Sequence, residues 1–143
     1  MIAGDRNAWC FVKGAEEIGS SKVSKVYDFG EVLTRKSEKI VGAEKRLYLA
    51  TKYLRVQAVD NVTGGDLTVT VKTADTLTSA TALGSDAKEI AKYVIKSADL
   101  KSGATVVDTI IDHSMTRRYL QITFTGSAAL TGKVFAEVSS DAK

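Results

Sequence analysis

The sequence predicts an all-β protein: an antiparallel sandwich or barrel of about eight or nine short strands. Three observations predict it. The runs Arg117-Arg-Tyr-Leu-Gln-Ile-Thr-Phe-Thr125 and Thr131-Gly-Lys-Val-Phe-Ala-Glu-Val138 alternate apolar and polar residues. That two-residue period belongs to strands buried on one face. Turn residues recur between such runs at roughly regular spacing, with no long helical period and no βαβ rhythm. Threonine fills many of the polar strand positions, and its stiff, branched side chain favours extended backbone.

Each element follows from its own pattern. Residues 9–13 read as a short strand or arm, broken by residues 16–21. Residues 22–29 alternate, with Val23, Lys25, Tyr27 and Phe29 on one face and Ser24, Val26 and Asp28 on the other. Residues 31–46 are charged and irregular, with Val32, Leu33, Ile40 and Val41 as anchors onto a core. Residues 47–50 form a short strand. Residues 53–60 place Leu54, Val56 and Ala58 on one face, and residues 67–72 do the same with Leu67, Val69 and Val71. Between them Gly64-Gly65 tolerates positive φ, so the pair reads as a hairpin. Residues 73–86 are a loop rich in threonine, alanine and serine. Residues 88–95 suit a strand, although Ile90, Ala91, Val94 and Ile95 also share a helical face. Residues 98–103 are a turn. Residues 104–111 are apolar on both faces, which predicts burial on both sides. After a loop at 112–116, residues 117–125 and 131–138 read as a closing hairpin. Its core face carries Leu120, Ile122, Phe124, Val134, Ala136 and Val138. The tail after Val138 is polar.

The 143 residues suffice for one domain with a real core, organised as an N-terminal strand or arm (1–21) and a sandwich (22–143). The net charge of +3, from 20 basic and 17 acidic residues, is too mixed to point to nucleic acid. The first residues do not read as a secretory signal, and no apolar run is long enough to span a membrane. The single cysteine, Cys10, precludes an internal disulfide and reads as a small buried hydrophobe.

Composition and spacing provide no catalytic set. One histidine and one cysteine cannot build a Cys/His zinc site. His113 has Asp112 and Ser114 as sequence neighbours, an arrangement that rarely brings side chains face to face. The stretch 126–133 fails as a phosphate loop, because five residues separate Gly126 from Gly132 and Val134 stands where a hydroxyl must hold magnesium. Asp60, Asp66 and Asp75 sit at loop ends, where aspartate caps turns far more often than it binds calcium. Asn61-Val-Thr63 matches a glycosylation sequon, read here as chance. The expectation is a protein without enzymatic activity, cofactor or metal.

Two surface features stand out. Tyr119, Gln121 and Phe135 fall on the face of the closing hairpin opposite the core. Aromatics grouped there suit either a subunit interface or a site covered by a loop or by the N-terminal arm. Arg35, Lys36, Lys39, Lys45 and Arg46 form one basic segment, either a solvated loop or a contact with an acidic protein surface.

Four stretches, read in order, resemble the capsid cement (decoration) proteins of tailed bacteriophages, as on a short-tailed Bordetella phage. They are Ser24-Lys-Val-Tyr-Asp-Phe-Gly30, Val41-Gly-Ala-Glu-Lys-Arg-Leu-Tyr-Leu49 and Leu67-Thr-Val-Thr-Val-Lys-Thr-Ala-Asp75, then Tyr119-Leu-Gln-Ile-Thr-Phe-Thr-Gly126 with Leu130-Thr-Gly-Lys-Val-Phe-Ala-Glu137. The resemblance runs from about Ser24 to Asp141, and it rests on order and spacing rather than on any one motif. It implies a jelly-roll sandwich, a homotrimer, on the outer surface of the virion capsid after synthesis in the bacterial cytoplasm. There it would bridge major capsid protein subunits, through the basic segment, without nucleic acid or membrane as partner. The competing expectation is a carbohydrate- or receptor-binding module of a phage tail or adhesin, with Gln121 between Tyr119 and Phe135 gripping a sugar.

Overall fold

In the computed structural model, residues 8–10, 15–28, 52–111 and 115–139 are described. The strands are β1 (Ala8–Cys10), β2 (Glu16–Val23), β3 (Tyr27–Asp28), β4 (Lys52–Ala58), β5 (Leu67–Ala74), β6 (Leu77–Ser79), β7 (Ala82–Leu83), β8 (Lys88–Ile95), β9 (Thr105–Ile111) and β10 (Tyr119–Ser139). Eight of them form one antiparallel sheet, and β6 and β7 make a separate small hairpin. The antiparallel sandwich expected from the sequence is the architecture, folded almost closed like a barrel.

Strand β10 organises it. Its first part, Tyr119 to Gly126, pairs with β5, and its last part, Val134 to Ser139, pairs with β4. On its other edge it pairs with β3 and β2 and then with β1. One layer is therefore β8-β5-β10, and the other is β9-β4-β10, with the same long strand inside both. The inner faces meet as expected: Leu54, Val56, Ala58, Leu67, Val69, Val71, Leu120 and Phe124 are wholly buried, with Ile122, Val134, Ala136 and Val138 beside them.

Both expected hairpins are corrected. Residues 117–125 and 131–138 do not pair with each other, because they are successive parts of one bent strand. Nor do β4 and β5 pair, since each lies against a different part of β10. The connection between β4 and β5 crosses from one layer to the other and is bonded to the bend of β10. Thr63 and Thr131 exchange both backbone hydrogen bonds, at 2.9 and 2.8 Å. The Ser127 amide donates to the Asp66 carbonyl, and the Val62 amide to the Leu100 carbonyl. Glycine is needed on both sides of this contact. A Cβ on Gly64 (φ 110°) would lie 2.5 Å from the Ala129 carbonyl oxygen, and one on Gly132 (φ 113°) 2.6 Å from that of Asn61. The glycines thus permit close approach of two backbones rather than a tight turn.

Three further expectations change. Residues 16–21, read as a break, are most of β2, so the boundary drawn at 21/22 cuts through a paired strand. The run 104–111, read as doubly buried, contains β9, which pairs only with β4 among the described residues. It leaves Ile110 57% exposed. Residues 73–86 hold the end of β5 and the β6–β7 hairpin. Residues 88–95 are the strand expected, and residues 97–103 a 3-10 turn and bend. The anchors Val32, Leu33, Ile40 and Val41, the strand at 47–50, and the tail beyond residue 139 lie outside the described residues.

Gly132→Ala places a methyl group against the Asn61 carbonyl at positive φ and is expected to cost about 3 kcal/mol. Gly103→Ala, also at positive φ but with open space around it, is expected to cost about 1 kcal/mol. Urea titration of both variants checks this. Equal losses would mean that the bend of β10 does not depend on this close contact.

Candidate interaction surface

The two layers present different outer faces. On the β8-β5-β10 layer, Thr68 lies opposite Thr125 and Thr70 opposite Thr123, a block of paired threonines. Directly opposed residues of an antiparallel pair share a face, so this block continues to Gln121, opposite Lys72.

Gln121 is not available there. It is 7% exposed, and its side-chain nitrogen donates to the carbonyls of Ser24 and Thr81, both at 2.9 Å. Both amide hydrogens are thereby used. Thr81 lies between β6 and β7, so this small hairpin folds back over β10 and covers the glutamine. Its expected place in an open subunit interface is corrected: Gln121 is held within its own chain.

Charged side chains fasten the base of this hairpin. Asp86 accepts hydrogen bonds from the Asp75 amide at 2.7 Å and the Thr76 hydroxyl at 2.5 Å. These donors hold its carboxyl below the ordinary aspartate range, the Thr76 hydroxyl contributing most. The Arg117 guanidinium reaches Asp75 at 2.6 Å. The Thr73 hydroxyl accepts from the Arg117 amide at 2.7 Å and donates to the Tyr119 carbonyl at 2.8 Å. Arg118 forks onto both oxygens of Asp28, at 3.1 and 3.4 Å, and sits 4.9 Å from the centre of the Tyr119 ring. Tyr119 is therefore packed at the start of β10, half-buried beneath an arginine.

Phe135 lies on the other layer, opposite Gln57. Tyr119 and Phe135, expected together on the outer face of one hairpin, sit in different parts of one strand. The trio Tyr119, Gln121 and Phe135 does not assemble into a patch, because the hairpin that would have brought it together is absent.

The outer face of the β9-β4-β10 layer has an order that the sequence did not reveal. Glu137 lies opposite Arg55, and Arg55 opposite Asp108, so an acid, a base and an acid form one row across the three strands. On one side of the row, Tyr53 lies opposite Ile110. On the other, Phe135 lies opposite Gln57. Among the described residues no carboxylate comes within 4.0 Å of the Arg55 guanidinium. Its Nε is buried and has no hydrogen-bond partner. Alternation alone puts residues 53, 55 and 57 outward. The row itself needs the register of β4 with both neighbours.

The basic residues Arg35, Lys36, Lys39, Lys45 and Arg46 lie outside the described residues, as do Asp112, His113 and Ser114. For Cys10 only the backbone is described, paired with Glu137. Among the described residues no group of three histidine, cysteine, aspartate or glutamate side chains could hold a metal, and no helix is long and apolar enough to cross a membrane.

No family model and no curated protein matches the chain. Among solved structures it is similar to one described as "Bacillus endospore appendages form a novel family of disulfide-linked pili". The identity is 14%, the match covers 92% of this chain and 82% of that one, and the TM-score is 0.39.

Gln121→Ala removes the donor shared by Ser24 and Thr81 and is expected to cost about 1–2 kcal/mol. It should also make residues 77–83 the first site of limited proteolysis. Unchanged cleavage would show that the hairpin is held from its base alone. The Asp86 contribution has a definite pH dependence. Its carboxyl ionises at lower pH in the folded chain than in the unfolded one, so the contribution is complete at neutral pH and is lost as pH falls through the depressed value. Protection of the Asp75 amide against exchange should fall in that acid window in the native protein and be low throughout in Asp86→Ala, which leaves no side-chain acceptor.

Proposed function

We propose that the chain is a bacteriophage decoration or cement protein, binding the outside of a tailed-phage head and bridging neighbouring major capsid protein subunits to stabilise the shell. The observation that supports this reading is the continuity of β10 through both layers. A bridging protein is pulled from opposite sides. Here a load entering one layer reaches the other along covalent backbone and hydrogen-bond ladders, not only through side-chain packing. The order and spacing of the four family-like stretches add to it.

The chain works mechanically, without catalysis or cofactor. A symmetric oligomer offers several copies of one weak contact to one shell, and linked sites gain avidity without new contacts. On sequence grounds Arg35, Lys36, Lys39, Lys45 and Arg46 supply the shell contact. The competing sugar-binding arrangement has lost its central residue, since both amide hydrogens of Gln121 are engaged within the chain.

Shells assembled from tailed-phage major capsid proteins test the reading. The purified protein is expected to co-sediment with a matching shell in fixed ratio to capsomers and to raise the temperature at which DNA-filled heads rupture. Replacing the five basic residues by glutamine should weaken binding roughly tenfold or more at low salt and flatten its salt dependence. Glycan binding without binding to any shell in the panel would replace the cement reading with the carbohydrate module.

A further inference from the structure

We infer that the outer face of the β9-β4-β10 layer is a two-fold contact with a second copy of this chain. This goes beyond the cement reading and holds whether or not a capsid is the eventual partner.

The charge order on this face identifies the occupant. Glu137, Arg55 and Asp108 run acid, base, acid along one row. A uniformly basic partner would set a like charge over Arg55, and a uniformly acidic one would set like charges over Glu137 and Asp108. A second copy displaced by one strand matches the row. With a two-fold axis parallel to the strands, midway between β10 and β4, Arg55 of each copy lies over Glu137 of the other. Both new pairs form at once, as a self-complementary patch requires.

Two further observations fit the same occupant. The half-exposed Arg55 has no carboxylate within 4.0 Å among the described residues, so its charge is not neutralised within the chain. The facing carboxylate of Glu137 supplies the opposite charge through the accessible part of the guanidinium. The rows on either side carry Tyr53 with Ile110, and Phe135 with Gln57. The 57% exposure of Ile110 and the half-exposed rings provide apolar surface flanking the charges. Two such faces stacked about 10 Å apart, as sheets pack in a sandwich, bury the aromatics and the ion pairs together. The other layer offers no such arrangement, because the β6–β7 hairpin is seated on it.

The test is a pair of charge reversals, read by light scattering and sedimentation equilibrium. The wild-type protein is expected to be dimeric at about 100 μM and to dissociate on dilution, in the range of weak to moderate association. Arg55→Glu and Glu137→Arg are each expected to weaken self-association roughly a hundredfold. Their equimolar mixture should recover the dimer. In the mixed pair, one copy carries acids at both positions and the other carries bases at both, so each facing pair is again opposite in charge. A folding defect in either variant cannot produce that recovery. Far-UV circular dichroism and urea midpoints establish that each single variant is folded. Should one fail to fold, Ile110→Glu, at an exposed edge position, takes its place and should weaken the dimer at least tenfold. A wild-type monomer at all concentrations overturns the inference. So does an oligomer that survives both reversals, or a mixture no more associated than its components.

Discussion

Everything in this molecule depends on one strand being central twice. β10 lies between β5 and β3 with β2 in one layer, and between β4 and β1 in the other. It must therefore turn a corner without ending. A strand that turns leaves some ladder groups unpaired, and buried unpaired backbone groups are costly. The corner is tolerated because the connection between β4 and β5 meets it there. The reciprocal bonds of Thr63 and Thr131 and the bond from Ser127 to Asp66 take up backbone groups of the bend. Val62, only 2% exposed, seals the same place from water. The bend and the crossover satisfy each other's backbone, so neither is an independent module.

The sheet boundaries show how pairing with other chains is discouraged in some places and not in others. On β2, Glu16 lies opposite Val134 and Lys22 opposite Phe124, so both charged side chains share the face of core residues, and they form a 2.9 Å ion pair. Inward-pointing charge and lysine are common ways to blunt a sheet edge. Strand β8 carries exposed Lys88 and Lys92, with Lys96 just beyond it. Strand β9 has no lysine, and its exposed Ile110 sits beside the alternating-charge row. Among the described residues, β9 thus lacks the lysines of β8 and borders the face that carries the alternating-charge row.

The faces of the strands were legible in the sequence, and their partners were not. Alternation is a local property, so the inward residues of β4, β5 and β10 could be read from residues 54, 56, 58 and 67, 69, 71 and onward. Pairing is long-range. Gly64-Gly65 looked like the centre of a hairpin turn, and the gap between residues 125 and 131 like another, because glycine serves turns and close approaches alike. That ambiguity produced two hairpins where there are two crossings between layers. The same gap explains the interaction surface. Gln121 reads as an outward polar residue until Thr81, 40 positions away, is placed over it. Arg55 reads as an ordinary solvated cation until β10 and β9 put an acid on either side of it. Residues 104–111 read as doubly buried because apolar content alone does not reveal which strand ends a sheet.

The place of β10 in chain order has a consequence for biosynthesis. β4 and β5 pair with β10, which follows both, and neither pairs with the other. As the chain leaves the ribosome, these strands emerge with their apolar faces formed and their central partner still unsynthesised. Local hairpins such as β5 with β8 can assemble early, but the two layers cannot close until β10 arrives. Folding of the two layers is thereby deferred until β10 has been made, with the slow kinetics of distant β pairing. In the interval the nascent strands are open to neighbouring chains on the same polysome. The period of greatest vulnerability lies before β10 is made.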